Sequence, residues 1–144
     1  VDFGLTVTPE SFDGLTVGYA RGDTETRNAA VQVESTESTL YATYVIGSIT
    51  VGYQMSELDS PTAGSSLESS AMGISYAVTD NFSFAYNTHE LEKENESKDQ
   101  KASGISASYT QGSMTLGGGK NKVENMNNAA GDVSGYEMTL SFAF

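Results

Sequence analysis

The segment Tyr136-Glu137-Met138-Thr139-Leu140-Ser141-Phe142-Ala143-Phe144 changes character at every residue. Tyr136, Met138, Leu140, Phe142 and Phe144 fall on one parity, and Glu137, Thr139, Ser141 and Ala143 on the other. Successive side chains of a β-strand point to opposite faces, so this run reads as a strand with one large apolar face and one small or polar face. The same period of two extends back along the chain. Leu15, Val17 and Tyr19 alternate with Thr16, Gly18 and Ala20, and Ile49, Val51, Tyr53 and Met55 with Thr50, Gly52 and Gln54. Phe82, Phe84 and Tyr86 face away from Ser83, Ala85 and Asn87. No segment shows convincing helical periodicity. The expected strands cover 14–22, 37–46, 48–57, 69–78, 82–91, 102–110, 112–122 and 134–144, with a further short strand at 2–8.

The connections alternate in length. Short ones are expected near 9–13, 46–48, 79–81 and 110–112, and long ones, rich in Thr, Ser, Asn, Glu and Asp, near 23–36, 57–68, 91–101 and 123–133. Strict alternation puts every short turn at one end of an antiparallel meander and every long loop at the other. An internal repeat accompanies it, with Tyr44, Tyr76, Tyr109 and Phe142 separated by 32, 33 and 33 residues, each close to a short turn or the terminus. Strands of about 9–12 residues are long enough to cross a hydrocarbon layer when tilted.

Composition narrows the function classes. The 144 residues set a prior of one domain, and 7 Lys+Arg against 19 Asp+Glu give a net charge of −12. Such a chain has no means to neutralise a phosphate backbone, so no nucleic acid is expected as a partner. With no Cys and one His, His89, there is no disulfide framework, thiolate metal site or multi-histidine centre. Ser residues are many, but no nucleophile–base–orienter set can be assembled, so no enzyme, cofactor or metal is expected. The Gly117-Gly118-Gly119-Lys120 run lacks the spacing of a phosphate loop and is not followed by a helix pattern. The chain opens on Val1, without an initiator Met or a signal-peptide stretch, so a mature or processed chain, or a piece of a longer one, is expected.

A soluble β-sandwich would bury these apolar faces against a second sheet. The aromatics at a repeated height, the near-neighbour hairpins and the loop-length asymmetry point instead to a transmembrane barrel, with aromatics at the membrane interface. A family resemblance becomes specific at the C-terminal strand. Its alternation closing on Phe144 resembles the assembly signal of Gram-negative outer-membrane proteins, and Gly14–Tyr19 and Ile49–Tyr53 look like strands of general diffusion porins, particularly alphaproteobacterial ones. The resemblance implies an all-β, antiparallel up-and-down transmembrane β-barrel in the outer membrane. It also implies a homotrimer, outer-membrane lipid and small hydrophilic solutes as partners, and the barrel assembly machinery as a partner of the strand ending at Phe144.

Strand number separates two versions of this fold. Eight strands from residue 14 on would close a small barrel with a structural or adhesion role carried by its loops. The segment 2–8 makes nine, an odd number that suits the last nine strands of a sixteen-stranded porin. Small inward residues, Thr, Ser, Gly and Ala, would underfill an eight-stranded interior and suit a wide wet lumen. Residues 1–144 are thus read as a single β-barrel domain or the C-terminal portion of one.

The parity names the residues that face such a lumen. Tyr41, Gln54, Asn87, His89 and Glu137 are the pore-lining candidates, with Glu137 the best placed to favour cations. Tyr44, Tyr76, Tyr109, Phe142 and Phe144 are the candidate membrane-interface aromatics. The charged stretch Glu90–Gln100 reads as a solvated loop top, with an acidic pore mouth or a divalent-cation site as the functional alternative.

Overall fold

The computed structural model describes residues 2–28 and 31–143. Nine strands form one antiparallel sheet in chain order: β1 Phe3–Val7, β2 Leu15–Asn28, β3 Val31–Ile46, β4 Ile49–Asp59, β5 Leu67–Thr79, β6 Phe82–Lys93, β7 Gln100–Gln111, β8 Met114–Glu124 and β9 Val133–Phe142. Each strand pairs with its sequence neighbours, so every strand pairing is that of a hairpin. Two-residue turns close β3–β4 and β7–β8, where Gly47 and Gly112 adopt φ of 58° and 60°, a left-handed conformation that tight hairpins need and that costs glycine little. At the β5–β6 turn the Thr79 hydroxyl accepts the backbone N–H groups of Asn81 and Phe82 at 3.3 and 3.0 Å.

The register fixes which side chains share a face. One hydrogen-bonded row runs Leu15, Tyr44, Val51, Ile74, Tyr86, Ile105, Lys120, Tyr136 across β2 to β9. The next row over carries the other parity: Thr16, Thr43, Gly52, Gly73, Asn87, Gly104, Asn121, Gly135. The sheet thus has one apolar face and one face of small and polar residues. No hydrophobic side chain is buried among the described residues, and large apolar side chains from Phe3 to Phe142 stand exposed. Among the described residues no second sheet covers the apolar face, so they do not form a sandwich.

The rows are also staggered. Leu15 opens β2, whereas Tyr136 in the same row lies six residues from the end of β9 at Phe142. A climb of about 20 Å along the strands over about 34 Å of sheet corresponds to a tilt of roughly 30°, close to that of barrel walls.

The sheet is open among the described residues: β1 pairs only with β2, and β9 only with β8. An eight-stranded barrel would require β9 to pair with β2, but that edge of β2 is occupied by β1 through Leu5↔Tyr19 and Val7↔Val17. A second departure from expectation concerns 23–36, read from its polarity as a long loop. There β2 and β3 continue to pair from Asp23↔Thr36 up to Asn28↔Val31. Polar side chains signal water on a face and do not prevent backbone pairing. Here Thr36 Oγ1 donates to Asp23 Oδ1 and Thr24 Oγ1 to Glu37 Oε1, each at 3.2 Å. Similarly β6 runs on to Lys93 and β7 starts at Gln100, so five of the eleven residues of the charged stretch 90–100 are strand.

One contact on the polar face ties three strands together. The Tyr41 ring on β3 lies across Gly18 on β2, where an added Cβ would come within 2.2 Å of the ring, and its hydroxyl is 3.2 Å from Thr6 Oγ1 on β1. Gly18→Val should push the ring away, costing about 1–3 kcal/mol by overpacking. Tyr41→Phe should cost only about 0.5–1.5 kcal/mol for the lost hydrogen bond. Urea midpoints of the full-length protein in detergent measure both, and a wild-type midpoint for Gly18→Val would refute the contact.

Candidate functional site

The polar face gathers the residues singled out from sequence. Tyr41, Gln54 and His89 occupy one hydrogen-bonded row, linked through Ala71. Asn87 stands one same-face position along β6 from His89, and Glu137 lies on the same face through the row Ser75, Ala85, Ser106, Gly119, Glu137. Because the sheet is staggered, a hydrogen-bonded row is not a level. Counting from the short-turn end gives the level instead: Tyr41, Gln54, Asn87 and Glu137 each lie five residues from that end of their strand. They form a belt about 16 Å along the strands from the turns. His89 sits two residues beyond it.

Small neighbours leave the belt open. Asn87 and Asn121 flank Gly104, where an added Cβ would meet the Asn121 and Asn87 Oδ1 atoms at 2.5 and 2.9 Å. The Glu137 carboxylate lies over Gly119, 3.5 Å from where a Cβ would stand. Gln54 Nε2 donates to Ser56 Oγ at 3.1 Å. Below the belt, hydroxyl pairs bridge adjacent strands: Ser83–Ser108 and Thr110–Thr115, both at 2.9 Å. This is a wettable wall with few groups that bind strongly. Gly117 and Gly119 are part of it, within a regular strand rather than a phosphate-cradling turn.

The charges partition unequally between the faces. On the polar face the carboxylates are Glu37, four residues from Tyr41 on β3, Glu137, and Asp2, which lies against Gly22 and accepts the Asp23 N–H at 3.1 Å. Glu57, Asp59, Glu68, Glu90 and Glu92 take the parity of the apolar face, beyond its apolar residues. The net charge therefore does not concentrate on the polar face. Sequence reading passed over Asp2 and Glu37 because each adjoins the boundary of an expected strand, yet the parity with Tyr41 would have identified Glu37.

Glu90, Glu92 and Asp99 bring carboxylate oxygens within 4.8 Å of one another. The group lies at the top of β6, with Glu90 and Glu92 on the apolar-face parity and Glu90 Oε1 2.6 Å from Lys101 Nζ. Glu90 and Glu92 thus turn away from the polar face instead of lining its mouth.

Tyr44 and Tyr109 lie two residues, and Tyr76 three, from the short-turn ends of β3, β7 and β5, all on the apolar face with Phe142 at the end of β9. Tyr76 and Phe84 meet edge to face at 5.6 Å. Phe144 lies outside the described residues. A further set did not stand out from the repeat: Tyr19, Tyr53 and Tyr86, each the fifth residue of β2, β4 or β6. Their shared position within the ascending strands was a signal available in sequence.

A family model described as Gram-negative porin matches residues 1–115. A solved porin structure, refined at 1.8 Å resolution, superposes with a TM-score of 0.72 at 19% identity, over 96% of this chain and 50% of that one. The chain therefore spans about half the length of that porin, and the likeness shows the fold. No match emerged among curated proteins. With four-fifths of its residues under the family model and its nine-stranded sheet laid on a porin wall, the chain belongs to the Gram-negative porin family, proteins of the outer membrane.

Proposed function

We propose that this chain is the C-terminal part of an alphaproteobacterial-type general diffusion porin, passing small hydrophilic solutes and ions passively through a water-filled lumen. The observation that carries the reading is the contrast of its two faces: a continuous apolar wall opposite a wall of Ser, Thr, Gly and Ala, with no buried hydrophobic core among the described residues. A lipid-facing exterior and a wet interior are the environments in which that contrast is stable.

Strand direction supports the incomplete barrel. Both edge strands, β1 and β9, run toward the short-turn end. Strands that join the two edges with antiparallel pairing throughout must be odd in number, and seven would complete sixteen. The alternation of β9 supports recognition by the barrel assembly machinery, and a homotrimer accords with the family resemblance.

Passage requires no chemistry. Hydroxyls and amides on the wall exchange hydrogen bonds with water, so a hydrated solute loses little of its shell. Glu137 gives the belt its carboxylate, while Tyr41, Gln54 and Asn87 set its bulk. Asp2 and Glu37 add negative charge toward the long-loop end, and the outward-turned acids, farther away and screened by solvent, contribute less. A unit charge about 10 Å from a permeating ion in water is worth about 0.4 kcal/mol, close to a factor of two.

Two measurements on the full-length protein check the reading. Glu137→Gln should lower the cation-to-anion permeability ratio in planar bilayers by about twofold, and Glu137→Lys should lower it further. An unchanged ratio for both would remove Glu137 from the selectivity of the pore. Single cysteines should alternate in reactivity toward a charged, membrane-impermeant thiol reagent: Gln54→Cys and Asn87→Cys labelled in membranes, Met55→Cys and Tyr86→Cys protected. These 144 residues contain no cysteine of their own to compete for the reagent. Uniform labelling along β4 and β6 would contradict a wet face opposed to a lipid face.

A further inference from the structure

The apolar face has a definite upper limit. Leu40, Met55 and Ile105 each lie six residues from the short-turn ends of β3, β4 and β7, and beyond them the same parity becomes Ser38, Glu57 and Ser103. Lys120 lies at that limit too, six residues into β8, in the row Ile105, Lys120, Tyr136. Its ammonium stands 5.5 Å from the centre of the Tyr136 ring on β9. The other lysines of this face are neutralised: Lys101 by Glu90, and Lys122 by Glu124 and Asp132. Among the described residues Lys120 has no carboxylate within ion-pair distance.

The wall beneath it is recessed. Ala107 and Gly118 stand side by side on β7 and β8, one same-face position below Ile105 and Lys120, between Phe84 on β6 and Met138 on β9. Elsewhere along the described apolar band, Ala42 is a lone small residue between Val17 and Tyr53. The pair Ala107–Gly118 is thus a shallow depression two strands wide, directly below an unneutralised ammonium and beside Met138.

We propose that Lys120 and Tyr136 hold the headgroup of an anionic, phosphate-bearing lipid of the surrounding leaflet, with an acyl chain of that lipid seated over Ala107 and Gly118. An ammonium at the edge of a hydrocarbon layer extends its charged end into the headgroup zone while its stem stays against apolar surface. There an anionic phosphate supplies the counter-charge that the protein does not, and the tyrosine ring serves as an amphipathic edge beside it. The proposal rests on the apolar face meeting lipid and not on the diffusion reading, so conductance results leave it standing or falling separately.

The test uses the full-length protein in a neutral detergent, with bound lipid counted by native mass spectrometry. Phosphatidylglycerol is the anionic probe and phosphatidylcholine the net-neutral one. Wild type should retain phosphatidylglycerol about fivefold more tightly than phosphatidylcholine, and Lys120→Gln should abolish the difference. Gly118→Leu, whose Cβ would meet the Glu137 carbonyl oxygen at an ordinary 3.4 Å, should fill the depression and weaken retention of both lipids. Lys98→Gln, in the β6–β7 connection, should change nothing. Equal retention of the two lipids by wild type, an unaffected Lys120→Gln, or an equal loss in Lys98→Gln would each overturn the proposal. Should Lys120→Gln fail to fold, a salt titration of wild type decides. The phosphatidylglycerol preference must fall as salt rises while phosphatidylcholine retention holds, and a salt-independent preference overturns the assignment.

Discussion

The backbone ladder is the constraint on which everything else in this chain depends. A segment that crosses a lipid layer cannot leave N–H and C=O groups to water, so each strand must be paired along its length. That pairing has only two side-chain directions. Once Leu15 pairs with Tyr44 and Val51 with Ile74, every other residue of four strands is assigned to the lipid side or the opposite side. A one-residue slip would exchange the two sets completely, placing Thr and Ser against hydrocarbon and Tyr and Ile in water. The register is therefore held by the contrast of environments on the two faces, with no buried core among the described residues to fix it.

The same constraint explains the distribution of glycine and large residues on the polar face. Where Tyr41 crosses Gly18, and where Asn87 and Asn121 converge on Gly104, a large side chain lies over a neighbour that has none. These contacts pack locally on a face that otherwise has no interior. They add bulk at a few positions and leave the rest of the wall flat and wettable. A carboxylate such as Glu137 suits a face open to water, whereas in a dry core it would need a paired charge.

Charge follows position along the strand as much as face. Within the apolar band the outward parity is almost free of charge, and beyond it the same parity is crowded with carboxylates. Glu57, Glu68 and Glu92 even share one hydrogen-bonded row. The net charge of −12 is thus largely a property of the strand ends and the connections, and a thin set of charges remains on the polar face. Net charge alone would have overstated the negative character of a lumen. The loops at that end are fastened by hydrogen bonds from side chain to backbone: Asn128 Nδ2 donates to the Leu91 and Lys98 carbonyls at 3.1 and 3.0 Å, and Glu94 Oε2 accepts the Gly64 N–H at 2.9 Å.

Sequence by itself determined the strands, their two faces and the membership of each residue in one face, because alternation is a local property that any window of a strand displays. Tyr41, Gln54, Asn87, His89 and Glu137 were assignable to one face for that reason alone. Polarity misled at 23–36, where a solvated hairpin resembles a loop, since backbone pairing leaves no mark on side-chain composition. Only the tertiary structure decided the rest. The belt of Tyr41, Gln54, Asn87 and Glu137, the meeting of Lys120 with Tyr136 and the open edges at β1 and β9 depend on which residue pairs with which and on the stagger between strands. Pairing and stagger are relations between distant segments, set by the summed fit of the whole sheet, and no single strand contains them.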